Sequence, residues 1–222
     1  MHVTELDAKV MSVNVSMPSP LQYGGKQILS GIHKKPVQHS VMLTRTGVAG
    51  DGQADLINHG GPDKAVCIYD IDRYPLFEQE MGRQLTFGAF GENLSLQGAL
   101  EDDVYIGDIF RIGQAVVQVS QPRQPCFKLA ARYDWKELPL RFQSTGYTGY
   151  YFRVLEEGEV AEGDSLQLLE RPQHPFTVMR ANRVKYLEKN DLEQARALME
   201  LDALSGSWKD SLYKRVAGEG ER

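Results

Sequence analysis

The sequence predicts a mainly β fold of the α+β kind: a β-barrel-like domain with a few short helices over residues 1–171, then a small three-helix domain over residues 172–222. Three observations carry that expectation. Up to about residue 171, short apolar runs alternate with glycine turns, the mark of a bent or closed sheet rather than of βαβ units. Within "VYIGDIFRIGQAVVQVS" the pairs Gly107-Asp108 and Gly113-Gln114 punctuate the apolar runs at hairpin spacing. Past the two prolines of "RPQHPF" the apolar period lengthens from the strand value to the helical one.

In chain order, residues 70–82, "DIDRYPLFEQEMG", predict a helix with Tyr74, Phe77 and Met81 on one stripe. Strands follow at 104–106, 109–112 and 115–120, forming a meander, and "FKLAARYDW" opens a short helix after Cys126. Strands near 150–155 and 165–170, with a Gly163-Asp164 turn, would close the sheet. In the tail, Thr177 caps a helix with Val178, Ala181 and Val184 on one face. Asn190 caps a second, with Glu193 at the capping-box position and Leu192, Ala195, Leu198 and Met199 inward. Ser207 caps a third, with Trp208, Leu212 and Val216 at spacings of four. Three such short helices bury too little alone and must pack on one another or on the sheet.

The chain has 222 residues, 41% hydrophobic and 25% charged, enough for a core without staples. A formal charge of −5 argues against nucleic acid or an anionic membrane as partner, so any anionic ligand must meet a local basic cluster. Neither a run of about 18 apolar residues nor a signal-peptide core is seen, and a cytoplasmic location is expected. Two cysteines, Cys67 and Cys126, cannot hold an iron–sulfur cluster or a four-cysteine zinc site. Dinucleotide and phosphate-loop signatures and the G-x-S-x-G elbow do not occur.

The segment "QPRQPCFK" is the leading candidate for chemistry. Pro122 and Pro125 restrict the backbone on which Cys126 hangs, and Arg123 and Lys128 favour its thiolate, the form that attacks or binds metal. A buried core cysteine is the commoner use of such a residue, and Cys67, in "AVCIYD", is assigned to the core. "NHGGPDK" either cradles a phosphate with His59, Gly60, Gly61 and Lys64 or is a hairpin turn with solvated charges. "TRTGVAGDG", with Arg45, Gly50 and Asp51, makes a tight loop that could face an anion. Asn93 in "GENL" could read a ligand amide or cap a bend, and Lys34 and Lys35 before Pro36 are either a basic contact or a solvated strand edge.

The ordered series "KKPV", "GVAGDGQAD", "HGGPDKAVCIY", "FGENL", "VYIGDIFRIG" and "VSQPRQPCFKL" closely resembles the MOSC domain, named for the C-terminal domain of molybdenum cofactor sulfurase. The tail resembles the three-helix segment of the YiiM-like subgroup. The resemblance implies a β-barrel-like domain that binds molybdenum cofactor (molybdopterin) and reduces N-hydroxylated compounds such as 6-hydroxylaminopurine. A soft thiolate suits such a metal. Carried over residue by residue, Cys126 ligates molybdenum, while Arg123 holds it as thiolate or contacts the anionic cofactor. His59, Gly60, Gly61 and Lys64 become phosphate or pterin contacts, with Asn58 and Asp63 shaping their turn. Lys35, Arg45, Gly50, Asp51 and Asn93 are further cofactor-site candidates. Electrons would come from a separate flavoprotein reductase, since this chain cannot hold a cluster. The alternative is a non-redox module that carries sulfur or cofactor through a Cys126 persulfide.

Overall fold

A computed structural model describes residues 6–56 and 60–219. Its framework is an eight-stranded mixed sheet of β1 (Lys9–Val15), β4 (Lys35–Val37), β7 (Val66–Asp70), β8 (Leu94–Gln97), β9 (Ile109–Ile112), β10 (Ala115–Pro122), β11 (Tyr150–Glu156) and β13 (Leu166–Glu170). The spatial order is β13-β9-β10-β11-β7-β8-β1-β4, antiparallel except for the β7–β8 pair. Backbone bonds close the ring: Val10 N–H donates to Asp164 O at 2.9 Å, Gly163 N–H to Val10 O at 2.8 Å, and Leu166 N–H to Ala8 O at 2.9 Å. Two bulges, between Val116 and Val117 and between Val119 and Gln121 of β10, supply the bend that closure demands. A small sheet of β5 (Val41–Thr44), β6 (Gly47–Val48) and β12 (Gly158–Val160) and a hairpin of β2 (Ser19–Tyr23) and β3 (Lys26–Ser30) complete the β structure among the described residues.

Two central strands are buried along nearly their whole length, β7 as "VCIYD" and β10 as "AVVQVSQP". Continuous apolar runs are what a strand covered on both faces requires. Residues 104–106 do not form a strand of the meander. Their backbone pairs instead with the linker near residue 177: Ile106 N–H donates to Phe176 O at 3.0 Å, and Val178 N–H donates to Val104 O at 2.8 Å.

The helices are α1 (Tyr74–Met81), α2 (Phe127–Tyr133), α3 (Leu138–Thr145), α4 (Val178–Tyr186), α5 (Leu192–Met199) and α6 (Gly206–Glu219). The sequence reading lacked α3, whose apolar signal is only Leu138 and Phe142 four apart. Thr177 caps α4 as expected, its side chain accepting from Arg180 N–H. For α5 the cap is Asp191 rather than Asn190, accepting from Gln194 N–H at 3.0 Å. A carboxylate there also meets the positive end of the helix dipole. Likewise Ser207 does not cap α6. It donates to Gln121 Oε1 at 3.2 Å, tying the helix to β10, and Ser205 accepts the Trp208 N–H instead.

One continuous core joins barrel and tail, with Val13, Leu43, Ile68, Phe110 and Phe152 from the sheets packed together with Val184, Leu198 and Trp208 from the helices. A second, aromatic cluster lies under α1–α3: Phe90 packs edge-on against Phe77 and Phe142, at 5.3 and 4.9 Å between ring centroids, and against Tyr69 at 4.7 Å. Among the described residues no helix is long and apolar enough to cross a membrane.

Because the core is shared, Trp208→Ala should cost roughly 3–5 kcal/mol and lower the melting temperature of barrel and helices together, in one calorimetric transition. A second expectation concerns Asp70, whose buried carboxylate accepts Asp72 N–H at 2.9 Å and Ala99 N–H at 2.6 Å. Burial outweighs these bonds and raises its pKa from 3.8 to about 7. The folded chain therefore holds a proton that the unfolded chain releases near pH 4, and this stabilisation is lost as pH rises towards 7. The advantage of the wild type over Asp70→Asn, which mimics the protonated form, should change steadily in Asn's disfavour towards acid and in its favour towards neutral pH; a pH-independent gap in melting temperature would contradict it.

Candidate functional site

The site forms where β10 ends. Beyond Pro122 the chain still follows β11 for one step, Arg123 N–H donating to Gly149 O at 3.0 Å, before Pro125 turns it into α2. Cys126 is the residue that precedes the helix, with extended φ −121° and ψ 166°, and its carbonyl accepts Leu129 N–H at 3.1 Å. Its side chain makes no cap bond, which leaves the partly exposed sulfur available. Cys126 lines a narrow cavity of about 40 Å³ whose wall also includes Lys34, Cys67, Arg123, Lys128 and Tyr151. That volume holds two or three waters, or a single small centre.

Arg123 is 6% exposed, and its Nη2 donates to Phe90 O at 2.6 Å. Its Nη1 is buried and meets no acceptor among the described residues. Burial by itself opposes this charge, but Cys67, Tyr151, Cys126 and Glu92 around it more than offset that cost and raise its pKa, so it stays a cation. Burial pushes the Cys67 thiol up, against the pull of Arg123.

Lys34 and Asp51 form a buried ion pair, Lys34 Nζ lying 2.5 and 2.6 Å from the two Asp51 oxygens, with side chains 2% and 6% exposed. Asp51 also accepts Ser16 N–H at 2.9 Å and Asn93 Nδ2 at 3.0 Å. Asn93 in turn holds the strand that bears Cys67: its Oδ1 accepts Cys67 N–H at 3.1 Å, and its own N–H donates to Cys67 O at 2.7 Å. The loop before Asn93 is shaped by the buried Glu92, which accepts Gly88 N–H at 3.0 Å, Phe90 N–H at 2.9 Å, Ser95 Oγ at 3.0 Å and the Tyr74 hydroxyl. Arg132 clamps α2 to the same region through Gly88 O, at 3.0 Å, and Ile32 O.

Of the residues singled out from sequence, Arg123 and Cys126 line the cavity, while Asp51 and Asn93 bond each other and hold two of its other lining residues, Lys34 and Cys67. Gly50, at φ 79°, makes the turn that presents Asp51. Lys35 is exposed on β4 and does not line the cavity; its neighbour Lys34 does, because the side chains of adjacent residues point to opposite sides of an extended chain. Arg45 lies in the exposed β5–β6 turn, its backbone N–H donating to Glu157 Oε1 at 2.9 Å, away from the cavity. Asp63 ion-pairs with Arg153 at 2.7 Å. Gly60 could not carry a side chain, since a Cβ would fall 2.8 Å from Leu56 O, and Gly61 adopts φ 94° before a 3-10 turn, Pro62–Lys64. Lys64 is half-buried, and burial lowers its pKa against the opposing pull of Asp63 and Asp55. Asn58 and His59 lie outside the described residues. Sequence reasoning offered Lys34 only jointly with Lys35, and missed Tyr151 and above all Cys67, which is buried as expected but lines the cavity.

A family model described as MOSC domain matches residues 55–167, and one described as YiiM-like, 3-alpha helix domain matches residues 177–219. A Bacillus subtilis protein, YflK, is 51% identical over 206 residues, covering 93% of each chain. A Gibberella moniliformis protein named reductase is 39% identical over 164 residues, which are 72% of this chain but 29% of that one. Among solved structures, YiiM from Geobacillus stearothermophilus superposes with a TM-score of 0.81 at 37% identity, covering 94% of this chain and 99% of the other.

The Lys34–Asp51 pair yields a stability expectation. Asp51→Ala leaves a buried ammonium without its partner and should cost about 3–5 kcal/mol in chemical denaturation. The double variant Lys34→Met with Asp51→Leu removes both charges and should recover much of that loss.

Proposed function

We propose, from the premise that this chain belongs to the MOSC-domain family and carries a YiiM-like three-helix domain, that it is a molybdenum-cofactor oxidoreductase acting on N-hydroxylated compounds. The observation that carries this reading is that Cys126 and Arg123, whose buried Nη1 meets no acceptor among the described residues, line one cavity. The donor set fits the cofactor: a soft sulfur for the metal, and basic groups of Arg123, Lys34 and Lys128 for the anionic part. Lys34 is already paired with Asp51, so the positive charge offered to an anion is mainly that of Arg123 and Lys128.

When bound, the cofactor would supply the two electrons that cleave an N–O bond. Cys126 would hold the metal, on a backbone stiffened by Pro122 and Pro125. Arg123 would contribute a second hydrogen bond without moving, since Phe90 O already fixes its guanidinium. Asp51 would keep the Lys34 ammonium turned towards the cavity, and Asn93 would couple that arrangement to β7. Gly60, Gly61 and Lys64 remain candidates for the phosphate end, with Asn58, His59 and Asp63 next to them in sequence. Electrons would reach the site from a separate flavoprotein reductase. In the fungal relative, the matching region is part of a longer protein named reductase, which supports such a pairing.

The test is purification from a host that makes the cofactor, followed by measurement of molybdenum and pterin and of 6-hydroxylaminopurine reduction by an artificial donor. Wild type should carry both and turn over; Cys126→Ser should lose metal and turnover, and Arg123→Met should lower cofactor retention. Full metal content in Cys126→Ser would sink the ligand assignment. A metal-free wild type bearing a persulfide on Cys126 would favour the sulfur-carrier alternative.

A further inference from the structure

Both cysteines of the chain reach one cavity, although 59 positions apart in sequence, from residue 67 to residue 126. Their environments differ in a way that assigns them different roles. Cys126 is partly exposed, at the start of a seven-residue helix, with no bond from its own side chain to the helix backbone. Cys67 is 5% exposed on a central strand, its backbone held on both sides by Asn93. An oxidant entering from solvent therefore meets Cys126 first, with Cys67 behind it. The buried Arg123 guanidinium, whose Nη1 meets no acceptor among the described residues, lines the cavity with the two cysteines and Tyr151. A fixed cation there stabilises the negative charge that passes between sulfurs during exchange.

We propose that Cys67 is a resolving thiol for Cys126, so that the cavity is a peroxide-sensitive modification site. In the first step the Cys126 sulfur attacks hydrogen peroxide, giving a sulfenic acid and one water, with the sulfur oxidised by two electrons and the peroxide reduced. In the second step the Cys67 sulfur attacks the sulfenic sulfur, a disulfide forms, and hydroxide leaves and is protonated to a second water. The bond closes the cavity across its own wall and halts oxidation of Cys126 before the irreversible sulfinic stage; an external dithiol reverses it. The inference stands whether or not Cys126 also binds a metal, because it concerns the free thiols.

The experiment uses the reduced, metal-free full chain, exposed to hydrogen peroxide, alkylated and digested without reductant. The expected result is a linked peptide joining Cys67 and Cys126, formed at a rate independent of protein concentration and removed by dithiothreitol. In Cys67→Ala, and in Cys67→Ser if the alanine variant fails to fold, Cys126 should accumulate sulfinic acid several times faster than in wild type. Closure requires Cα atoms within roughly 7 Å, a demand that the linked peptide tests directly. Equal sulfinic acid formation in wild type and variant, with no linked peptide, overturns the proposal. Molybdenum content, measured separately on the loaded protein, reports on the cofactor reading alone.

Discussion

The Asp51 carboxylate is the point on which the candidate site depends. It gathers four polar groups from separate stretches of chain: the Lys34 ammonium, the Ser16 amide, and the side-chain amides of Asn93 and, at 3.4 Å, Gln53. A buried ion pair gains little net stability once the desolvation of both charges is counted, so its retention here is better read as a device for position. It turns Lys34 inward next to an exposed Lys35, and through Asn93 it determines where β7 carries Cys67.

Glu92 does the corresponding work on the other side of Asn93. With four donors on its carboxylate, it folds the loop of residues 88–93 so that the Phe90 carbonyl faces Arg123 while the Phe90 ring packs into the aromatic cluster beneath. One residue thus joins hydrophobic support to the placement of a cation. Arg132, reaching back from α2 to the carbonyls of Ile32 and Gly88, ties the helix that follows Cys126 to this same scaffold. The rigidity suggested by two prolines near Cys126 is therefore only part of the account; the rest comes from bonds that Arg123 and Arg132 make to backbone carbonyls 33 and 100 positions away.

These supports produce a small cavity in which soft sulfur and positive charge coexist inside an acidic chain. The charge is kept by geometry rather than by number. Arg123 holds its proton because burial, which disfavours a cation, is outweighed by the sulfurs, the phenol and the carboxylate round it. The C-terminal helices reach this region indirectly, through Ser207 on Gln121 at the end of β10 and through a core shared with the barrel.

The sequence by itself determined the mainly β architecture, the helical tail and the restricted backbone of the "QPRQPC" turn, since strand period, glycine turns and proline restriction are written in neighbouring residues. It also named Asp51, Asn93, Arg123 and Cys126, but alongside Lys35 and Arg45, which do not line the cavity. Local pattern could not choose Lys34 over Lys35, nor Asp191 over Asn190 as a cap, because in each case adjacent residues of similar chemistry differ only in the direction they face. Nor could it bring Cys67 to the cavity: an apolar strand context reads as core, and Cys67 is indeed buried. Which neighbours a buried sulfur meets is decided by the pairing of β7 with β11 and by where the turn after β10 comes to rest. Those are long-range contacts, set by closure of the sheet, and only the tertiary structure decided them.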